Sequence, residues 1–151
     1  MTIEEIIKAG KPVDVHKKIL LNILVCQQVI SERFAEVLKP YDLSGEQFNV
    51  LRILRGRGGE PANMCSIQER MLARTSNTTR LVDKLLAKGL VERRICPENR
   101  RKMEVTITDR GLEVLSQLDE AVEAHDRSYG ATLTSNELET LNSLLEKYRQ
   151  P

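Results

Sequence analysis

Three cysteines in 151 residues, Cys26, Cys65 and Cys96, are too few and too scattered for a disulfide scaffold. They share no metal-ligand spacing with each other or with His16 and His125. Tryptophan is absent. No run approaches the roughly 18 consecutive apolar residues of a membrane span. The N-terminus shows no signal-peptide pattern, so a cytoplasmic location without a membrane partner is expected. Gly56–Gly59 is the one glycine cluster, and it lacks the Lys-Ser/Thr of a phosphate loop. With no nucleophile motif and no metal pair, an enzyme is not expected, nor is a resident cofactor.

The rest of the composition is ordinary for one globular domain spanning 1–151, at 40% hydrophobic and 30% charged. The net charge of +1 conceals a partition. Residues 1–43 hold six basic and six acidic side chains. Residues 44–110 hold fourteen basic and eight acidic, and residues 111–151 three and eight. A basic middle followed by an acidic end is the electrostatic footprint of a nucleic-acid binder.

Residues 13–39 form a long helical pattern that is apolar on nearly all sides, from Ile19 to Ile30. Such a helix needs more than one neighbour to cover it, which implies a partner subunit. Pro40 ends it. Ser44 and Gln47 make a capping box, with Leu43 and Phe48 at the staple positions, and open a second helix that ends at Gly56. Asn63-Met64-Cys65 reads as a short strand. Ser66 with Glu69 opens a third helix, with Ile67, Met71 and Leu72 facing inward. Arg74-Thr75 is a turn. A fourth helix starts at Ser76-Asn77-Thr78-Thr79-Arg80, buries Thr78, Leu81, Val82, Leu85 and Leu86, and stops at Gly89. A hairpin follows from Val91 to Ile107, alternating at period two around a polar tip from Cys96 to Lys102. Thr108 or Asp109 caps a fifth helix, and Thr134 with Glu137 caps a last one rich in leucine.

This is a mainly α chain with a small β-hairpin wing: a winged helix-turn-helix over 44–107, with helices at 13–39 and 109–149 left to form a dimer. On the fourth helix Asn77, Arg80, Lys84 and Lys88 fall on one outward stripe, flanked by Ser76 and Thr79. Amide and guanidinium groups suit adenine and guanine edges in the major groove, and lysines suit phosphates. Arg100, Arg101 and Lys102 at the hairpin tip can reach phosphates or the minor groove. A lone helix of this pattern would be a solvated amphipathic surface. Beside a turn, a basic hairpin and the charge partition, DNA contact is the better reading.

In that order, these segments resemble the MarR family of transcriptional regulators over about residues 15–148. The resemblance rests on Leu43–Phe48, on the run from Ser76 to Leu85, on Lys88-Gly89-Leu90-Val91, on Pro97-Glu98-Asn99-Arg100-Arg101, and on Val105 to Gly111. It implies a homodimer with interlocked terminal helices and a recognition helix in each of two successive major grooves of a palindromic operator. It implies a wing in the flanking minor groove, and a small lipophilic or phenolic effector bound between the dimer helices and the DNA-binding lobe. The family's wing often has acidic residues that orient the terminal arginine, matched here to Arg101. Cys96 and Asn99 stand in their place. A peroxide-sensing branch carries a reactive cysteine where this chain has Leu20. Cys26, further along an apolar helix, reads as a small buried hydrophobe. Cys96 lies among Arg93, Arg94, Arg100 and Arg101, which favour a thiolate if it is exposed; otherwise it is an inert wing residue. His16 and His125 read as ordinary surface or interface residues.

A sequence-specific, double-stranded DNA-binding regulator, ligand-responsive and repressing, is the function these features imply. The rival is a winged helix used for protein–protein docking. It calls for an apolar or acidic outward stripe on the fourth helix, which is not what Asn77, Arg80, Lys84 and Lys88 provide.

Overall fold

Asp14 accepts hydrogen bonds from the backbone N–H groups of His16 and Lys17. It thereby starts the longest helix of the computed structural model, which describes residues 1–72 and 77–150. That helix is α2 (Val15–Leu38), preceded by a short α1 (Ile3–Ile6). Pro40 cannot continue it, and a 3-10 turn over Lys39–Tyr41 ends at Asp42 in the left-handed region, φ 52°. The Ser44–Gln47 capping box then opens α3 (Gly45–Arg55) as expected, with both reciprocal bonds present at 3.1 and 3.2 Å.

The next junction differs from the sequence reading. The strand β1 is Ala62–Asn63, and Met64 and Cys65 already belong to α4 (Met64–Arg70). Asn63, not Ser66, is the cap: its Oδ1 accepts the Ser66 N–H at 2.8 Å, while the Ser66 hydroxyl donates back to the Asn63 carbonyl. Both segments satisfy a capping pattern, and the earlier one prevails because Ala62 pairs with Val105 in a sheet. Since α4 ends at Arg70 and Met71 is extended, Leu72 leaves the helical period and is 87% exposed instead of inward. The expected turn at Arg74-Thr75 lies outside the described residues.

Helix α5 (Thr78–Ala87) is followed by β2 (Val91–Ile95), β3 (Met103–Ile107), α6 (Asp109–Ser128) and α7 (Ser135–Tyr148). The strands form one antiparallel sheet in the order β1-β3-β2, with Arg93 opposite Val105 and Ile95 opposite Met103. The core lies where α3, α4, α5 and the sheet base meet: Val50, Leu51, Leu54, Ile67, Val82, Leu85 and Val105 are buried. Each such side chain contributes about 1.5–3 kcal/mol by leaving water. Gly111 is packed so closely under Leu90 that a Cβ would meet its carbonyl oxygen, which seats the start of α6 on the sheet.

Phe34 of α2 joins the long helices to the core. Its ring stands edge-on to Phe48 at 5.2 Å and tilted against His125 at 5.0 Å. The His125 side chain, 6% exposed, therefore packs within the chain rather than lying on its surface. Its ring nitrogens face Asp126, the Ile30 carbonyl and the Tyr129 hydroxyl at 3.0–3.3 Å. By contrast Leu20 and Leu24 of α2, and Leu138, Leu141, Leu144 and Leu145 of α7, stay exposed on the single chain. Cys26 is exposed there too, contrary to the buried position expected of it.

The Thr134–Glu137 box at the head of α7 is present, with the Glu137 carboxylate accepting from the Thr134 N–H at 2.8 Å and from its hydroxyl at 2.9 Å. The backbone N–H first, and then the hydroxyl, hold the Glu137 carboxyl below its ordinary value. A depressed folded pKa gives stability that is present above the unfolded value and lost as pH falls through the folded one. Urea denaturation across pH should show wild type more stable than Glu137→Gln at neutrality, with the gap closing below about pH 4. A gap that persists in acid would detach the carboxylate from α7 stability.

Candidate nucleic-acid interface

One face of α5 is committed to packing. Leu81, Val82 and Leu85 are buried against α3 and the sheet, and Thr78 joins them at the first turn. The 3.6-residue period then leaves Asn77, Thr79, Arg80 and Lys84 facing out, and all four are exposed. Asn77 occupies the cap position of α5 but makes no cap hydrogen bond, so its amide is unspent. Ser76, expected beside it, lies outside the described residues.

The far end of α5 is closed as the sequence predicts. Gly89 takes φ 70°, its N–H donates to the Leu86 carbonyl at 2.9 Å, and the Leu90 N–H donates to Leu85 at 3.0 Å. Thr108 ties this stop to the wing and to α6. Its hydroxyl donates to the Gly89 carbonyl at 2.8 Å and accepts from the Gly111 N–H at 3.1 Å, while its own N–H donates to Leu90.

The hairpin leaves the core as it extends: Val91 is 2% exposed and Ile95 58%. Its tip is closed by main-chain bonds between Cys96 and Lys102 and between Asn99 and Lys102. Asn99 Oδ1 accepts the backbone N–H of Arg101 at 3.1 Å. Asn99 therefore shapes the loop, while the Arg101 guanidinium is left unheld. Cys96 is half-buried at the base of the tip.

Several cations of the lobe are engaged within the chain. Arg93 pairs with Asp83 of α5 at 2.9 Å, Arg94 with Glu104 at 2.8 Å, and Arg55 with Asp119 of α6 at 2.9 Å. Lys88, placed by its spacing on the outward stripe, turns instead to Asp42 and Gln47. Among the described residues, Arg80, Lys84, Arg100, Arg101 and Lys102 enter no ion pair and are exposed. These five cations lie on the outward face of α5 and at the wing tip, two places suited to one duplex. The Arg93–Asp83 and Lys88–Asp42 links were not foreseen, because ten and forty-six residues of chain separate their partners.

A helix-turn-helix core, a basic β wing and flanking long helices define a winged helix-turn-helix protein. A sequence model of the MarR family matches residues 43–103. The HTH-type transcriptional repressor IacR of Pseudomonas putida is 30% identical over 117 residues, covering 77% of this chain and 68% of that protein. The MarR transcription factor of Planctomyces limnophilus, a crystal structure, is 32% identical with a TM-score of 0.70, covering 90% of this chain and 98% of that one. A MarR variant of E. coli solved with operator DNA is 27% identical with a TM-score of 0.77, covering 91% and 99%. The chain belongs to the MarR family and is a DNA-binding transcription regulator.

Among the described residues the Arg93–Asp83 pair is the polar link between wing and α5, and both side chains are partly exposed. A double-mutant cycle with Arg93→Ala and Asp83→Ala should give a coupling of about 0.2–1 kcal/mol in urea denaturation. A coupling of zero would leave the wing held by the sheet alone.

Proposed function

We propose that the chain acts as a homodimer that sets one α5 into each of two successive major grooves of a palindromic operator, with the wings in the flanking minor grooves. The observation that carries this reading is the clustering of five exposed, unpaired cations, Arg80 and Lys84 on α5 and Arg100, Arg101 and Lys102 at the wing tip. Buried arginines and lysines without partners are costly, and exposed ones clustered on two adjoining elements attract a polyanion. In this reading Asn77 and Arg80, near the start of α5, read base edges, with Ser76 and Thr79 beside them. Lys84 meets phosphate. Arg101 enters the minor groove, and Arg100 and Lys102 take the neighbouring phosphates. The lobe over 44–107 carries the contacts, and the helices at 13–39 and 109–149 carry the dimer.

Dimerisation is supported by the apolar faces of α2 and α7. Among the described residues no side chain of α7 is buried by its own chain, although Leu138, Leu141, Leu144 and Leu145 fall on it. Obligate interfaces resemble a core cut in half, and this is half of one. A cytoplasmic repressor without catalytic activity, released by a small lipophilic or phenolic effector, completes the reading. Its support is the family resemblance and the repressor named above.

Light scattering at micromolar concentration should return twice the 17.2 kDa chain mass. A stable monomer would overturn the dimer.

Binding to an inverted repeat from the promoter of the encoding gene tests the interface. Asn77→Ala and Arg80→Ala should each cost about 1–3 kcal/mol per half-site and relax preference at one or two positions. Lys84→Ala should weaken all sequences alike, and Arg101→Ala should lose most on A/T-rich flanks. Unchanged affinity and preference in the first two variants would remove α5 from base readout.

A further inference from the structure

Lys88 stands about three turns along α5 from Asn77, where the outward stripe would place a phosphate contact. Its ammonium is engaged inside the protein instead. It donates to the backbone carbonyl of Asp42, and lies 3.2 Å from the Asp42 carboxylate and 3.4 Å from Gln47 Oε1. Asp42 is the left-handed residue that ends the turn after α2. Gln47 Oε1 is fixed in turn by the Ser44 N–H at the head of α3. Lys88 therefore reaches from the end of α5 to the joint between α2 and α3. Among the described residues it is the one side chain of residues 77–88 hydrogen-bonded to that joint. The Asp42 carboxylate is 94% exposed, so the ion pair by itself is weak. The main-chain carbonyl is the firmer anchor, because it cannot swing away as a surface carboxylate can, and the Lys88 side chain is only 27% exposed.

The geometry points to Lys88 as a positioning residue that fixes the angle at which α5 leaves the α2–α3 joint, and through it the half-site spacing the dimer accepts. This rests on the dimeric operator-binding reading above. The reading end of α5 lies about 15 Å from Lys88 at 1.5 Å per residue. A rotation of a few degrees about the anchored end moves Asn77 and Arg80 by about 1 Å, more than a hydrogen bond to a base edge tolerates. One base pair added between half-sites displaces one of them by about 3.4 Å and turns it by about 35°. A helix tied to the foot of the dimer helix resists that change, and an untied helix follows it. Apolar packing of Leu81, Val82 and Leu85 holds α5 to α3 but is not directional. Among the described residues, the directional element between α5 and the α2–α3 joint is the bond from Lys88.

The test measures affinity of wild type, Lys88→Met, Lys88→Arg and Lys84→Met for operators whose half-site spacing is native, one base pair shorter or one longer, each across a salt titration. Wild type should prefer the native spacing. Lys88→Met should reduce that discrimination by about threefold to tenfold, with its salt slope unchanged because no phosphate contact is lost. Lys88→Arg keeps a cation of similar reach and should keep the discrimination. Lys84→Met should do the opposite: a shallower salt slope and unaltered spacing preference. A shallower slope in Lys88→Met with spacing preference intact would overturn the proposal and make Lys88 a phosphate contact. No change in either would overturn it as well. Lys88→Gln gives the same two readouts if the methionine variant fails to fold. Loss of spacing preference in wild type itself would instead sink the dimeric operator reading on which the inference stands.

Discussion

Helix α5 can bury only one face, and Leu81, Val82 and Leu85 take it. A helix of ten residues has little stability of its own, so it exists because that face is covered by α3 and the sheet. The periodicity of the helix then dictates what is left over. The apolar residues choose the orientation, and Asn77, Thr79, Arg80 and Lys84 face solvent without a side-chain bond to hold them. Function at the surface is thus a by-product of packing beneath it. The same dependence extends to the wing, whose base is buried at Val91 and Val105 and whose tip is not buried at all.

Charge is distributed in the same spirit. The acidic side chains Asp83, Glu104 and Asp42 each engage one neighbouring cation and so organise the lobe's own architecture. Arg80 and Lys84 on α5 and Arg100, Arg101 and Lys102 at the wing tip escape this pairing. A net charge of +1 would not attract a polyanion, but an uncompensated cluster on one side does so at short range. Pairing within the lobe is therefore as informative as the cations that remain free.

Legibility from sequence followed distance along the chain. The capping boxes at Ser44 and Thr134 and the helix stop at Gly89 are written within four to six residues, and each stands as read. The hairpin of β2 and β3 declares itself through alternation and a polar tip. The errors arose where a distant partner decides. Asn63 displaced Ser66 as a cap because β1 is pinned to β3 some forty residues away. Leu72 fell out of the core because α4 stops two residues earlier than its periodicity suggests. Lys88 sits at the right spacing for the stripe, yet Asp42 captures it. His125 looked peripheral because Phe34, which covers it, lies ninety-one residues upstream. The exposure of Asn77, Thr79, Arg80 and Lys84 was legible because it follows from the local period alone.

Thr108 is one small side chain at a three-way junction. Its hydroxyl bonds Gly89 at the stop of α5 and Gly111 in the first turn of α6, and its backbone N–H bonds Leu90 at the entry to the hairpin, all within about 3 Å. A joint so closely fastened cannot bend without breaking several hydrogen bonds together. Helix α5, the wing and the root of α6 must therefore travel as one stiff plate. A change of angle between the lobe and the long helices moves that plate as a whole, about the α2–α3 joint to which Lys88 is bonded. The molecule works less like a hand that changes shape than like a pair of callipers whose jaws are rigid and whose opening is set at the pivot.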